Sequence, residues 1–154
     1  MGAQRMGILN ILLALLIPAA APVAGYFLGR ATKEELAAGK KYFMIMQHLL
    51  FVSVSAVFLY CNKWSLYLVI PALAAVFAYI AFKQARNAFA VEAVFGLAFA
   101  FSVNTNMMFL TSALMFLYGL PTGSLLVRQK KGLYKAAGAG LLFAVVAWTA
   151  SYFL

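Results

Sequence analysis

Residues 88–127 read AFAVEAVFGLAFAFSVNTNMMFLTSALMFLYGLPTGSLLV, a block of about 40 residues whose one charged side chain is Glu92. As a single helix the block would be about 60 Å long, roughly twice the hydrocarbon thickness of a bilayer. Its polar interruption is the segment SVNTN at 102–106. Asn and Ser favour turns because their side chains hydrogen-bond to nearby backbone groups. The block therefore predicts two transmembrane helices joined by a tight turn.

The composition of the whole chain indicates an integral membrane protein. Hydrophobic residues make up 66% of its 154 residues and charged residues 10%, and the mean hydropathy is +0.96. Soluble domains are about 45–50% apolar and roughly 25% charged. A soluble domain of this size leaves much of its surface exposed and could not bury the excess. We expect one transmembrane domain over residues 1–154.

The apolar runs predict an all-α, polytopic protein with six transmembrane helices. The first run could also be a secretory signal, since Arg5 precedes the apolar residues 8–17, but the run continues to Gly29 and favours an uncleaved span. The predicted spans are 7–29, 42–61, 65–82, 88–103, 107–127 and 132–154.

The distribution of basic residues supports six spans over five. Six spans place ten of the twelve basic residues in loops on one side, whereas five spans divide them equally. Because cytoplasmic loops carry the excess of Lys and Arg, we expect three helical hairpins with basic cytoplasmic loops and both termini outside. The net charge of +9 thus reflects membrane topology, not nucleic-acid binding. The ten residues are Arg30, Lys33, Lys40, Lys41, Lys83, Arg86, Arg128, Lys130, Lys131 and Lys135.

Local signals add three further expectations. The sequence from Thr32 to Glu35 matches a capping box and predicts a short interfacial helix that ends at Gly39. Prolines in the first, third and fifth spans predict helix kinks with freed carbonyls. Small residues at four-residue spacing in the first and sixth spans predict close helix packing. The prolines are Pro18, Pro22, Pro71 and Pro121; the small residues are Ala21, Gly25 and Gly29, then Gly132, Ala136 and Gly140.

The chain lacks the residue patterns of common catalytic and metal sites. It has no Asp, one His and one Cys, and it contains no HExxH, GxSxG or Walker motif. We therefore expect neither an enzyme nor a cofactor or metal site.

Three ionisable side chains are predicted at a similar depth. The second, fourth and sixth spans enter from the cytoplasm, and they carry His48, Glu92 and Lys135 roughly 5–9 Å inside the boundary. Ionisable residues inside a membrane often mark an ion or substrate path. Gln47 and Ser55 extend the polar stripe of the second span, so these five residues form the candidate transport or proton site.

Each of these residues also has a structural explanation. Lys135 could extend its amine to the lipid headgroups, and His48 could be a neutral packing residue. Glu92 could form an ion pair with Lys135 or Arg86. If it is buried without such a partner, it must be protonated.

A second polar group lies at the predicted outer turn. Asn104 and Asn106 belong to the turn itself, and Thr111 continues the polarity into the fifth span. The group is explained by the turn alone, or it forms an outer site for a polar solute.

Two functions fit this pattern. The first is a small transporter or channel in the cell membrane, proton-responsive through Glu92 and His48. Six short helices are few for a transporter, so we expect a homo-oligomer or a membrane partner subunit in addition to the lipid bilayer. The alternative is a non-catalytic membrane subunit or an assembly or scaffold protein.

Overall fold

The computed structural model describes residues 8–62, 88–103 and 105–153, and within these ranges all elements of regular secondary structure are α-helices, joined by turns. The prediction of an all-α protein is thus confirmed for these residues, while the predicted third span at 65–82 and its Pro71 lie outside them. The helices are α1 (Ile8–Ala31), α2 (Glu35–Asn62), α3 (Ala88–Ser102), α4 (Met108–Leu126) and α5 (Gly132–Phe153).

Three of the described helices are long and apolar enough to cross a membrane. These are α1 with 24 residues, α4 with 19 and α5 with 22, judged by length and composition. Helix α3 has 15 residues, fewer than the roughly 20 that a bilayer crossing usually needs. The described residues therefore contain three candidate spanning helices, which indicates a membrane protein.

The apolar block divides where the turn was predicted. Helix α3 ends at Ser102, whose hydroxyl donates to the carbonyl of Phe99 at 2.7 Å. The backbone N–H of Thr105 donates to the carbonyl of Ser102 at 2.9 Å, and the Thr105 hydroxyl accepts from the Met107 N–H at 3.2 Å. These local bonds satisfy backbone groups at the two helix ends, and the predicted break is confirmed.

The predicted short interfacial helix is wrong. Helix α2 begins at Glu35 and continues through Gly39 to Asn62 as one helix of 28 residues. The Thr32 hydroxyl donates to the carbonyl of Leu28 at 3.1 Å, so it is engaged with the C-terminal end of α1. Glycine favours a helix end only where a left-handed conformation forms, and no described glycine has a positive φ.

Helices α1 and α4 form the closest pair in the described structure, and they run parallel. The Ser112 hydroxyl donates to the carbonyl of Ala14 at 2.6 Å, and the Ser124 hydroxyl donates to the carbonyl of Gly25 at 2.8 Å. Residue numbers thus rise together along both helices. Helix α5 packs mainly on α1 and α3, and α2 packs mainly on α4. The helices that pack most closely are therefore not consecutive in the sequence. The arrangement as three hairpins remains a prediction.

Glycines permit the close approach of α1 and α4. A Cβ atom on Gly25 would overlap the backbone carbonyl of Leu120, and one on Gly123 would overlap that of Pro22. Gly140 of α5 likewise lies against the backbone of Ala19. The small residues were predicted to form packing faces in the first and sixth spans, and these contacts confirm that prediction.

The remaining contacts fix the directions of α2, α3 and α5. Gly132 of α5 faces Tyr26 of α1 and Gly140 faces Ala19, so α5 is antiparallel to α1. Gly138 of α5 faces Phe89 of α3, and Phe143 further along α5 lies beside Gly96, so these two helices are parallel.

Helix α2 is antiparallel to α4. The Gln47 side chain of α2 is bonded to Thr122. One turn later, Phe51 stacks on Phe95, which in turn contacts Tyr118, one turn earlier in α4. It follows that α2, α3 and α5 run in one direction and that α1 and α4 run in the other.

The Ser112 bond has a specific consequence for α1. Pro18 has no N–H, so the carbonyl of Ala14, four residues earlier, loses its usual donor within the helix. The Ser112 hydroxyl supplies that donor. We expect Ser112→Ala to lower the free energy of unfolding in mixed micelles by about 1 kcal/mol.

The control for this prediction is a double-mutant cycle. Pro18→Ala restores an N–H donor for the Ala14 carbonyl. In that background, Ser112→Ala should lower the free energy of unfolding by clearly less than it does in the wild type. Equal costs in the two backgrounds would show that the Ser112 bond does not compensate for the proline.

Candidate functional site

Glu92 lies in the second turn of α3 and is buried, with 4% of its surface exposed. Its Oε1 atom is inaccessible to solvent and has no hydrogen-bond partner among the residues that the structure describes. A buried charge usually has a paired charge or several hydrogen bonds, because desolvation is costly. The carboxyl group therefore needs a proton or a cation to neutralise it.

The ion pair expected with Lys135 does not form. Lys135 is exposed on α5, and its Nζ atom donates to Gln129 Oε1 at 2.8 Å. The buried face of α5 carries Ala136 instead, and adjacent helix residues point about 100° apart. Arg86, the other expected partner, lies outside the described residues.

Tyr118 is a buried residue of α4. It packs against the face of α3 that carries Glu92, because its contact there, Phe95, follows Glu92 by three residues. Its ring meets the edge of Phe95 with centroids 4.7 Å apart, and Phe95 stacks on Phe51 of α2 at 5.6 Å. Aromatic rings from three helices thus form an apolar wall on this side of the carboxyl group.

A hydrogen-bond chain joins Tyr118 to α2. Gln47 Nε2 donates to Thr122 Oγ1 at 2.7 Å, and the Thr122 hydroxyl donates to the backbone carbonyl of Tyr118 at 2.9 Å. We call Glu92, Tyr118, Thr122 and Gln47 the Glu92 cluster; it brings together residues of α2, α3 and α4.

The other residues expected at this site are placed differently. His48 is half-buried, and its Nδ1 atom lies 2.6 Å from the carbonyl of Met44 in its own helix. Ser55 is buried, two turns further along α2 than Gln47 and His48. Of the five residues that formed the candidate site, the structure places Glu92 and Gln47 in the cluster.

The predicted outer polar group is not assembled in the described residues. Asn104 lies outside them, and Asn106 is exposed. Thr111 is 1% exposed, and its Oγ1 atom has no hydrogen-bond partner there. Thr111 and Asn106 therefore occupy different environments, one inside the bundle and one at the surface.

Sequence patterns did not indicate Tyr118 or Thr122. Both were included in an apolar span, and their spacing of four residues is the one signal that they share a helix face. The spacing indicates a polar site only together with Gln47, which is 75 residues away from Thr122 in the sequence. Within the described ranges, no group of three or more His, Cys, Asp or Glu residues is arranged to hold a metal ion.

Comparison with known proteins gives no relative. No protein-family model, no curated protein and no solved structure matches the chain. Its function must therefore be argued from its own residues.

Proposed function

We propose that the chain crosses the cell membrane six times, as three hairpins with both termini outside. The directions of the described helices support this topology. Helices α2 and α3 run the same way, so the chain leaves α2 at one end of the bundle and starts α3 at the other. One further crossing between them satisfies this condition, and the apolar residues 65–82 provide a sequence suited to it.

Within this membrane domain, the proposed function is that of a small transporter or channel whose proton-binding group is Glu92. The observation that carries the proposal is the buried carboxyl group, whose Oε1 atom has no hydrogen-bond partner among the described residues. A charge in a membrane helix costs about 2.5–3.5 kcal/mol at the helix centre on insertion scales, and less near the boundary where Glu92 is predicted to lie. A side chain that only packs would be replaced by an apolar one at a gain in stability. Reversible binding of a proton explains why a carboxyl group is kept at this buried position.

The Glu92 cluster favours access from the cytoplasmic end. Gln47 is half-buried, and Thr122 lies one turn closer than Tyr118 to the end of α4 that carries Arg128. Arg30 lies in the last turn of α1, at the same end of the parallel pair. Because basic loops face the cytoplasm, the polar chain leads from Glu92 toward that side.

The alternative is a non-catalytic membrane subunit or an assembly or scaffold protein. The close packing of Phe51, Phe95 and Tyr118 beside Glu92 favours it, because a dry and filled core suits a structural role. Under either proposal the chain is not an enzyme. Its expected partners are the lipid bilayer and a second copy of the chain or another membrane subunit.

Reconstitution into liposomes tests the transport proposal. The purified protein is sealed into vesicles that contain a pH-sensitive dye, a pH gradient is imposed, and the membrane potential is held constant with a potassium ionophore. We expect proton flux above that of empty vesicles for the wild type. We expect flux at the empty-vesicle level for Glu92→Gln, which keeps the side-chain shape but cannot titrate.

Glu34→Gln is the matched control, because Glu34 is exposed in the loop after α1. Its flux should equal that of the wild type. Absence of flux in the wild type would contradict transport of protons and favour the subunit alternative. Flux that survives Glu92→Gln unchanged would show that Glu92 is not the proton-binding group.

A further inference from the structure

Two loops of the chain meet at the end of the bundle where α1 and α4 finish. In the last turn of α1, Gly29 lies against the backbone of Ser124 in α4 and against the side chain of Leu36 in α2. At the start of α5, Gly132 lies against the backbone carbonyl of Leu126. The loop from α1 to α2 and the loop from α4 to α5 are therefore neighbours.

These two loops carry an excess of positive charge. All eight basic residues that the structure describes lie at this end of the bundle, and the sequence places two acidic residues beside them, Glu34 and Glu35. The Lys135 Nζ atom is bound to a neutral group, Gln129 Oε1, at 2.8 Å, so its charge is not cancelled there. Six of the eight residues belong to the two loops or to the adjoining helix turns, and all six are exposed. We call these six residues the basic rim: Arg30, Lys33, Arg128, Lys130, Lys131 and Lys135.

Helix register brings cations of the two loops to a similar level. Gly29 and Ser124 are in contact across the parallel pair α1 and α4. Lys33 and Arg128 each follow that contact by four residues, and Arg30 is the residue next to Gly29 in the last turn of α1. An anion that lies across the ends of α1 and α4 would therefore meet cations from both loops.

The surface next to the basic rim is apolar and exposed. Phe27 and Leu28 directly precede this part of α1, and 54% and 55% of their surfaces are exposed. In the first turn of α5, Leu133 and Tyr134 are exposed as well. A ligand that has both an anionic headgroup and apolar chains would cover the cations and this surface together. A soluble anion or a nucleic acid would leave the apolar surface uncovered, so the arrangement favours a lipid.

We infer that the basic rim binds the headgroups of anionic phospholipids, at a site between the α1–α2 loop and the α4–α5 loop. Clusters of about four to eight Lys and Arg residues next to a membrane helix are typical of such binding. Arg30 and Arg128 are its central residues, because a guanidinium group donates two parallel hydrogen bonds to phosphate oxygens. The positive-inside rule explains basic residues on one side of the membrane, but it does not require that two loops join their charges.

Spin-labelled lipids in reconstituted vesicles test this inference. The protein is placed in phosphatidylcholine vesicles that contain a trace of spin-labelled phosphatidylglycerol or, in a parallel sample, of spin-labelled phosphatidylcholine. Electron paramagnetic resonance then measures the fraction of each label that the protein immobilises. We expect the association constant of phosphatidylglycerol to exceed that of phosphatidylcholine by about threefold to tenfold. The preference should nearly disappear in 1 M salt, where the Debye length falls to about 3 Å from about 10 Å at 0.1 M.

Two double variants with the same net charge locate the site. Arg30→Gln combined with Arg128→Gln removes one cation from each side of the site, and its two association constants should become nearly equal. Lys40→Gln combined with Lys41→Gln is the matched control, because it removes the same charge from α2, outside the basic rim. The control should keep most of the wild-type preference for phosphatidylglycerol.

Three results would overturn the inference. Equal association constants in the wild type would show that the basic residues serve topology alone or bind an acidic partner other than lipid. Equal loss of the preference in both double variants would show a diffuse attraction without a site. A preference that persists in 1 M salt would show that charge does not cause it, and this measurement needs only the wild type. The inference does not rest on proton binding by Glu92, so its failure leaves the proposed function unaffected.

Discussion

Gly123→Ala should unfold the protein at a markedly lower denaturant concentration than the wild type. The added Cβ atom would overlap the backbone carbonyl of Pro22 in α1. A backbone carbonyl cannot rotate away as a side chain can, so α1 and α4 would have to separate. Overpacking of this kind costs about 1–3 kcal/mol and sometimes more, and we expect a loss of about 3 kcal/mol in the free energy of unfolding.

Gly39→Ala provides the matched control for the glycine prediction. Its Cβ atom would meet only the side chain of Phe43, at 3.3 Å, and the Phe43 ring can move. Because alanine is the better helix former, this variant should gain about 0.5–1 kcal/mol. Unfolding titrations in mixed micelles measure both variants. A Gly123→Ala protein as stable as the wild type would contradict the close packing of α1 on α4.

Under the proposed function, Glu92→Leu should stabilise the protein and abolish proton flux. The structure leaves Glu92 Oε1 without a hydrogen-bond partner among the described residues, so the carboxyl group contributes a desolvation cost that leucine removes. An unsatisfied buried polar group costs about 1–3 kcal/mol, and we expect a gain of that size in the free energy of unfolding. Activity and stability would then change in opposite directions, as they do where a buried polar group is kept for function.

The same variant tests the structural explanation of Glu92. If the carboxylate were paired with a cation such as Arg86, Glu92→Leu would leave that cation buried and unpaired. The free energy of unfolding would then fall by several kcal/mol. A destabilised Glu92→Leu protein would therefore contradict our account and favour a structural ion pair.

Features set by short segments of sequence could be predicted. The break after Ser102 follows from the length of the apolar block and from the turn-forming side chains within it. The packing faces of α1 and α5 follow from small residues repeated every four positions. The turn depends on interactions within one segment of the chain. The packing faces require only that the side chains at these positions are small or absent.

Features that depend on how helices face one another could not be predicted. The sequence predicted Lys135 at the depth of Glu92, but the contacts of Gly138 with Phe89 and of Gly96 with Phe143 place Lys135 more than one turn nearer the end of the bundle at which α3 and α5 begin. Depth also does not determine the direction of a side chain around the helix axis. Lys135 points outward because Ala136 faces the core. Gln47 and His48 differ in the same way, since Gln47 faces Thr122 and His48 bonds within α2. The predicted end at Gly39 failed because glycine permits a helix end without requiring one.

The central claim is that Glu92 exchanges a proton inside the membrane. Difference infrared spectroscopy of the reconstituted protein tests this claim most directly. The sample is cycled between alkaline and acidic buffer, and the C=O stretching band of the protonated carboxyl group is measured. We expect acidification to produce a band in the wild type that persists in Glu34→Gln and is missing from Glu92→Gln. Identical difference spectra for the wild type and Glu92→Gln would show that Glu92 does not exchange its proton, and the account would be wrong.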